Sequence, residues 1–166
     1  MIVVSDSTPL MHFAKVGKLE LLKLAYGELV ISNTVFEETV SEGILLEEED
    51  AFLIEKEVGK WIKVVTPQDD ATVFSKKYKI HEGEAASILL AMQLDAELLL
   101  INEKDGRMAA KDSGVKVKGT IGVISDCIKM QIIKPPEAIE ILLEFKNNPS
   151  EYWISPDIID MAIGKF

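Results

Sequence analysis

Five short segments rich in β-type apolar residues place the strongest constraint on how this chain folds. Most are continuously apolar instead of alternating with polar residues, and segments of helical periodicity separate them. Strands of a parallel sheet have this composition because helices cover both faces of the sheet. The pattern predicts an α/β protein, a three-layer α/β/α sandwich with a central, mainly parallel sheet. The predicted strands are IVV at 2–4, LVI at 29–31, WIKVV at 61–65, LLLI at 98–101 and VKV at 115–117.

The segments between these strands predict helices. HEGEAASILLAMQL at 81–94 has the strongest helical pattern, and GTIGVISDCIKM turns into another helix. Further helices are expected from Pro9 to about Tyr26, after a cap at Ser32 or Asn33, over about 47–58, from near Lys104, and twice at the end of the chain.

The chain has the length and composition of one soluble domain, and we expect residues 1–166 to form a single domain. Its one cysteine, Cys127, excludes an internal disulfide and is expected in the core. The first residues have no basic leader, and no apolar run is long enough to cross a bilayer. These features predict a cytoplasmic protein that does not associate with membranes.

The net charge of −10 limits how the protein could act on nucleic acid. Strong non-specific binding draws on a basic surface, which an acidic chain of this kind does not favour. An enzyme whose acids gather around metal ions remains compatible with that charge.

Asp6 follows the first predicted strand directly, within VVSDSTP. Thr8 fits the N-cap of the next helix, since Pro9 is favoured at the first helical position and holds the preceding residue extended. Asp6 is then not needed for capping. Ligands of parallel sheets bind beyond the carboxyl ends of strands, so Asp6 is a candidate functional residue.

Other acids occur at equivalent positions. Glu103 and Asp105 follow the LLLI strand, Glu84 lies in the first turn of the strongest helix, and Glu37 and Glu38 follow the second strand. Gathered carboxylates repel one another unless a cation lies among them, and Mg²⁺ or Mn²⁺ is the natural occupant. Simpler interpretations also exist, because acids favour helix starts and solvated helix faces.

Two blocks of the sequence carry a resemblance. IVVSDSTPLMHFAKVGKLELLKLAYGELVIS is similar to the opening of PIN-domain proteins, in the branch related to VapC-type toxin ribonucleases. HEGEAASILLAMQLDAELLLINEKDGRMAAKDSGVKVKGTIGVI resembles the second half of the same branch. The similarity extends from Ile2 to the closing ISPDIIDMAIG. Each block alone is a weak signal, but their order and spacing are specific.

The resemblance implies a metal-dependent nuclease with the sandwich plan predicted above. Carried over residue by residue, it implies that the catalytic acids are Asp6, Glu38, Glu84 and Glu103, with Glu37 the alternative to Glu38. Asp6, Glu84 and Glu103 are then the implied ligands of Mg²⁺ or Mn²⁺.

This chain departs from the branch after its fourth strand. The branch usually has two adjacent acids there, where this chain has Asn102 and Glu103. Asn102 brings no charge, and Asp105 is a candidate metal ligand that could compensate, so one metal or two remain open. Ser7 and Thr8 occupy positions where the family has hydroxyls beside the first acid, which implies that either one holds a water or orients Asp6. We assign Ser7, Thr8 and Asn102 to substrate binding.

Basic residues near the proposed site could bind substrate phosphates. Lys104, Arg107 and Lys111, spaced by three and four residues, share one face of the helix after Glu103; we call them the basic stripe. An ordinary solvated face is the alternative. A second basic group precedes the strongest helix and consists of Lys76, Lys77 and Lys79.

The two histidines do not form a catalytic triad with a serine and an aspartate. His81 precedes the strongest helix, where it either contacts substrate or has a local turn or capping role. His12 lies among apolar residues and is expected to be packed.

The most specific hypothesis is a metal-dependent endoribonuclease that hydrolyses RNA and is the toxin of a toxin–antitoxin pair. The acids and the resemblance support a nuclease, whereas the toxin role and the cognate antitoxin follow from the resemblance alone. A homodimer is also expected, from the resemblance and from first-helix apolar residues that exceed the needs of one core: Leu10, Phe13, Leu21, Leu22 and Leu24.

Two alternatives remain open. The first is a PIN-fold module that binds RNA or a protein but catalyses weakly. Asn102 supports this alternative, because it stands where the branch usually has an acid. The second is a structural ion-binding cluster or a phosphatase-like site. The sequence does not favour the phosphatase version, since no second aspartate stands two residues after Asp6.

Overall fold

The computed structural model describes all residues from Met1 to Phe166. Its centre is a five-stranded sheet in which every neighbouring pair of strands is parallel. The spatial order of the strands is β3-β2-β1-β4-β5. The strands are β1 (Val3–Ser5), β2 (Leu29–Ser32), β3 (Ile62–Val65), β4 (Leu98–Leu100) and β5 (Val117–Lys118).

Helices flank the sheet, which confirms the predicted α/β/α sandwich. The helices are α1 (Ser7–Lys15), α2 (Glu20–Tyr26), α3 (Asn33–Phe36), α4 (Glu42–Leu45), α5 (Glu49–Glu55), α6 (Ala71–Tyr78), α7 (Glu82–Gln93), α8 (Lys104–Asp112), α9 (Thr120–Lys129), α10 (Pro135–Asn147), α11 (Pro149–Tyr152) and α12 (Pro156–Lys165). A π-helical turn, π1 (Glu37–Ser41), joins α3 to α4.

The order of the strands creates a switch point between β1 and β4. The chain adds β2 and β3 on one side of β1 and then returns to add β4 and β5 on the other side. Ligands of open parallel sheets bind in the crevice where the strand order reverses. This crevice lies beyond Ser5 of β1 and Leu100 of β4, which are paired in register.

The central strands are buried on both faces, as their composition predicts. β1 and β2 contain only buried residues, whereas the edge strands β3 and β5 are partly exposed. Helix α7 packs on β1, β2 and β4. Its Ile88 and Leu90 belong to one apolar cluster with Val4, Val30 and Leu99. Packing of α7 against the middle of the sheet brings the start of that helix to the switch point.

Several predicted boundaries differ from those in the structure. The segment predicted as helical from Pro9 to Tyr26 is two helices, because α1 ends at Lys15, two residues before Gly17. Gly17 has φ +72, and the N–H groups of Gly17 and Lys18 donate to the carbonyls of Ala14 and Phe13 at 3.1 and 2.8 Å. These are the two hydrogen bonds of a Schellman motif.

Other predicted elements are shifted or shortened. The helix predicted over 47–58 is α5, the strand predicted at 115–117 is β5, and three helices end the chain instead of two. Of the two predicted caps, Ser32 is the N-cap of α3, and its hydroxyl oxygen accepts a hydrogen bond from the Val35 N–H at 3.0 Å.

The prediction that Thr8 caps α1 is wrong. The helix begins at Ser7, so Asp6 occupies the N-cap position and Pro9 is the third helical residue. Proline is tolerated there because the first N–H groups of a helix have no intrahelical acceptor. The Asp6 side chain makes no capping hydrogen bond, however, and is available for other contacts.

The surplus of apolar residues proposed for the first two helices is not present. Leu10, Phe13, Leu21 and Leu22 are buried within the chain, and only Leu24 is exposed. The argument for a homodimer from surplus apolar residues is therefore wrong, and the resemblance is the remaining support for a dimer.

Contacts divide the chain into two compact units, Met1–Thr120 and Ile121–Phe166. The first contains the whole sheet. In the second, α10 packs on α11 and α12, and the rings of Phe145 and Tyr152 lie 4.6 Å apart. The single domain expected over residues 1–166 stays a prediction. Within α9, Cys127 is buried as expected, and burial raises the pKa of its thiol to about 11. None of the helices combines the length and apolar character needed to span a bilayer.

Candidate active site

Asp6 lies at the switch point of the sheet. Its N–H donates to the Leu100 carbonyl at 2.8 Å, which extends the pairing of β1 with β4 by one residue. The side chain is 4% exposed, and its Oδ1 accepts a hydrogen bond from the Ser87 hydroxyl of α7 at 3.1 Å. A buried carboxylate is thus held between two central strands and the helix that covers them.

Burial raises the pKa of Asp6 from its ordinary value to about 7. The charges of Glu84 and Glu38 raise the pKa further, whereas hydrogen bonds from the Ser7 backbone N–H and the Ser87 hydroxyl oppose the shift. Desolvation and like charges both penalise the ionised form of a carboxyl group. Asp6 is therefore the most deeply buried member of a cluster of acids.

Glu84, in the first turn of α7, is the second buried acid of this cluster. Its burial raises the pKa of the carboxyl group, and the charges of Glu103 and Asp105 add to the effect. The nearby His81 opposes the shift through its side-chain charge and its backbone N–H. Glu84 interacts with Asp6 as well, so it connects the acid after β1 with those after β4.

Glu38, and not Glu37, approaches the cluster. The Ser7 hydroxyl donates a short hydrogen bond to Glu38 Oε2, whereas Glu37 is exposed. Both residues lie in π1, a type of turn that often occurs at functional sites. Ser7 was predicted to hold a water or to orient Asp6; in the structure its hydroxyl orients Glu38.

Two helical glycines leave room for these carboxylates. A Cβ on Gly83 would lie 2.5 Å from Glu38 Oε1, and one on Gly106 would lie 2.8 Å from Ile101 Cδ1 and 3.2 Å from Glu84 Oε2. Glycine is disfavoured inside helices, so its occurrence in HEGEA and KDGR was a sequence signal of close approach that the analysis of charges missed. Ser87 was also missed, because one serine in an apolar helix carries no distinguishing pattern.

A surface pocket of about 430 Å³ opens at this edge of the sheet. Glu84 is its buried acid, and Glu103 and Asp105 are exposed. The residues that line it are Lys79, Ile80, His81, Glu84, Glu103 and Asp105. The pocket is therefore lined by acids from two separate segments of the chain, and one of them, Glu84, interacts with the buried Asp6.

The sequence as a whole decides the family. A family model described as a PIN domain matches residues 2–166. The chain belongs to the PIN-domain family. PIN domains are generally nucleases, so this chain has a nuclease-type fold. No curated protein matches the sequence.

Asn102 of this PIN domain is engaged within the protein. Its Oδ1 accepts from the Thr120 N–H at 2.8 Å, and its Nδ2 donates to Thr120 Oγ1 at 3.0 Å. His12 Nδ1 lies 2.9 Å from the same hydroxyl, which explains how a packed histidine is accommodated. Asn102 does not line the pocket, and its assignment to substrate binding stays a prediction.

The basic stripe is only partly free to contact a ligand. Lys104 and Lys111 are exposed, but Arg107 is half-buried and donates from Nη1 to the Ile101 carbonyl at 3.2 Å. Arg107 thus supports the end of β4. Thr8 is half-buried beside the site, and its role also stays a prediction.

The chemistry of the donor set fits a hard divalent cation, because all the gathered ligands are carboxylate oxygens. PIN nucleases typically use such metals. As the side chains stand, no three Asp, Glu, His or Cys groups lie close enough together to hold one ion. The residue types therefore fit the metal, and the positions of the exposed acids would have to adjust to it.

Proposed function

We propose that this PIN domain is a metal-dependent endoribonuclease that hydrolyses RNA phosphodiester bonds. The observation that carries the proposal is the buried carboxylate of Glu84, which interacts with Asp6 on one side and with Glu103 and Asp105 on the other. A fold alone gains nothing from burying acids beside one another, since each unpaired buried charge costs free energy. A site that binds a divalent cation gives this arrangement a purpose.

Four acids would hold the cation. Asp6 and Glu84 are buried and fixed by their helices, so they form the rigid part of the site. Glu103 and Asp105 are exposed and can rotate toward Glu84. When bound, Mg²⁺ or Mn²⁺ would lower the pKa of a coordinated water and neutralise the charge that develops on the phosphate.

Glu38 has a different role in this proposal. Ser7 holds one of its oxygens, and the charge of Glu38 contributes to the raised pKa of Asp6. A carboxylate fixed in this way orients the attacking water or accepts a proton from it. Ser7 would therefore act through Glu38 and is a positioning residue.

RNA as substrate and the toxin role are supported by the sequence resemblance, together with the nuclease-type fold. The same resemblance supports a cognate antitoxin and a homodimer, whereas the expected cytoplasmic location rests on the single cysteine and the composition of the chain. An antitoxin that covers the acidic pocket would be expected to place a basic side chain among its carboxylates.

A weakly catalytic module that binds RNA or protein is the second candidate. Asn102 favours it, because an acid that the related branch has at this position is replaced by an amide that contacts Thr120.

Cleavage of labelled RNA by the purified protein, in Mn²⁺ or in EDTA, tests the proposal. We expect cleavage in Mn²⁺ only, and loss of cleavage in Asp6→Asn. Asp95→Asn is the matched control, since Asp95 is exposed and precedes β4, at the other end of the strands. Equal cleavage by both variants would contradict the proposal, whereas saturable RNA binding without cleavage would favour the weakly catalytic module.

A further inference from the structure

The connection between α6 and α7 brings a lysine to the acidic pocket. Lys79, Ile80 and His81 form this connection, and all three line the pocket with Glu84, Glu103 and Asp105. Lys79 is the only lysine or arginine among the lining residues. Its side chain is exposed and has no ion-pair or hydrogen-bond partner. Lys79 is thus an unpaired cation in a pocket whose other charged side chains are mainly acids.

The backbone holds Lys79 firmly at this place. The N–H groups of Lys79 and Ile80 both donate to the Ser75 carbonyl, which closes the end of α6. Lys79 has φ 56 and ψ 48, the left-handed conformation that glycine or asparagine adopts with less strain. Glycine would adopt this backbone conformation with less strain than the lysine that is present. The same type of conformation occurs at Glu47, Asp95, Gln131 and Trp153, so the case for Lys79 rests on its position in the pocket.

An anionic substrate needs such a cation. The pocket is lined by the carboxylates of Glu84, Glu103 and Asp105, which repel a nearby phosphate strand unless they are neutralised. A metal ion held by the acids would offset their charge for the reacting phosphate, but not for the neighbouring phosphates of the strand. A lysine at the rim of the pocket supplies attraction for a second, non-reacting phosphate of the same strand.

We infer that Lys79 binds a backbone phosphate of the substrate RNA in the pocket that contains the catalytic acids. This inference rests on the proposed ribonuclease function. Lysine contacts phosphate as a point charge, so the contact carries no base specificity. Lys79 therefore contributes to affinity for RNA of any sequence, while the acids perform the reaction.

Replacement of Lys79 by glycine separates this role from a structural one. Lys79→Gly removes the charge and relieves the left-handed strain, so the thermal unfolding midpoint should stay the same or rise. RNA binding should weaken in the same variant. A residue with a merely structural role would not lose binding while the protein gains stability. Lys79→Arg, which keeps the charge, should retain binding.

Fluorescence anisotropy with a labelled single-stranded RNA in EDTA measures binding without cleavage. We expect a severalfold larger Kd for Lys79→Gly and a plot of log K against log salt concentration that is flatter by about 0.7, the value for one lost phosphate contact. In Mn²⁺ the same variant should show a raised KM with a smaller effect on kcat. Lys60→Gln is the matched control, because Lys60 is exposed, precedes β3 at the other end of the strands and does not line the pocket.

Two outcomes overturn the inference, and they differ in what else they affect. If the wild-type protein cleaves RNA but Lys79→Gly and Lys60→Gln have the same Kd and salt dependence, the inference fails and the proposed function stands. If the wild-type protein neither binds nor cleaves RNA, both fail together.

Discussion

The hydroxyl of Ser7 donates a hydrogen bond to the carboxylate of Glu38, and so connects the first turn of α1 to the π-helical turn after β2. Ser7 directly follows Asp6, whose ionisation is disfavoured by the charge of Glu38. Two adjacent residues are therefore linked to Glu38, Ser7 by a hydrogen bond and Asp6 by charge. The Ser7 hydroxyl is therefore a partner that holds Glu38 in place, and the missing side chain of Gly83 leaves the space that the carboxylate occupies.

Removal of the Ser7 hydroxyl should release Glu38. For Ser7→Ala we expect the free energy of unfolding to fall by about 1 kcal/mol or less, the typical net contribution of one such hydrogen bond. Cleavage in Mn²⁺ should fall by about tenfold, since the loss of a partner that orients a site residue has effects of this size. Ser41→Ala, at an exposed serine of π1, is the control for cleavage assays and urea unfolding. Equal activity in the two variants would show that Glu38 does not need Ser7.

A methyl group at Gly83 should displace Glu38 without unfolding the protein. The added Cβ would lie 2.5 Å from Glu38 Oε1, but this atom is the end of a flexible side chain and can move away. Alanine is also the better helix former, so the change in stability of Gly83→Ala should be within about 1 kcal/mol. We expect cleavage to fall by about tenfold.

Gly164→Ala provides the comparison for this variant. Gly164 is another helical glycine, in α12, and a Cβ there meets no atom within 4 Å. Thermal unfolding and cleavage of both variants, measured together, distinguish crowding at Glu38 from a general effect of removing glycine. A Gly83→Ala protein with full activity would contradict the close approach described here.

Asp6 should make the metal-free protein less stable as the pH rises. The folded-state pKa is raised to about 7 from an ordinary value of 3.8, so between these values the folded state binds more protons than the unfolded state. Stability therefore falls as the pH rises from about 4 to about 7, and the penalty persists above that range. Asp6→Asn removes it, so the variant should be more stable than wild type at pH 8, by on the order of 2 kcal/mol, and not at pH 4.

Urea unfolding in EDTA at several pH values measures this difference. Asp95→Asn, at an exposed aspartate, should show no comparable pH-dependent gain. Addition of Mn²⁺ at pH 8 should stabilise the wild-type protein and have a smaller effect on Asp6→Asn, because a ligand stabilises only the state that binds it. If the stability difference between wild type and Asp6→Asn does not change with pH, the ionisation of Asp6 is not its cause.

Asn102→Asp should not increase cleavage. The amide is held by Thr120 and does not line the pocket, so an acid at this position would join the contacts with Thr120 and His12 instead of the carboxylate cluster. We expect kcat/KM in Mn²⁺ to stay close to that of wild type and stability to fall by about 1 kcal/mol, since the amide donor is lost. A large increase in kcat/KM would instead show that Asn102 limits catalysis and would favour the weakly catalytic module.

The sequence predicted the parts of this structure that depend on composition and chain order. Continuously apolar segments identified the buried strands, and residues after β1 and β4 could be assigned to one edge because parallel strands end together. The choice of Glu38 over Glu37 came from the resemblance, and in the structure Glu38 is the residue beside Ser7.

The sequence did not predict the contacts that depend on packing. Ser87 reaches Asp6 only because α7 covers β1, and Thr120 reaches Asn102 only because β5 lies beside β4. The start of α1 was misplaced for a related reason: proline is compatible with any position of the first helical turn, so Pro9 alone does not identify the N-cap.

The parallel pairing of β1 with β4 has a consequence for the synthesis of this protein. Val3 pairs with Leu98, so the two middle strands come from nearly opposite ends of the first compact unit. Such non-local pairs form slowly because a long loop must close first. A nascent chain on the ribosome would carry Asp6 and Glu38 long before β4 and the acids after it emerge. Competence for the proposed hydrolysis would therefore arise only after residues 98–105 have left the exit tunnel.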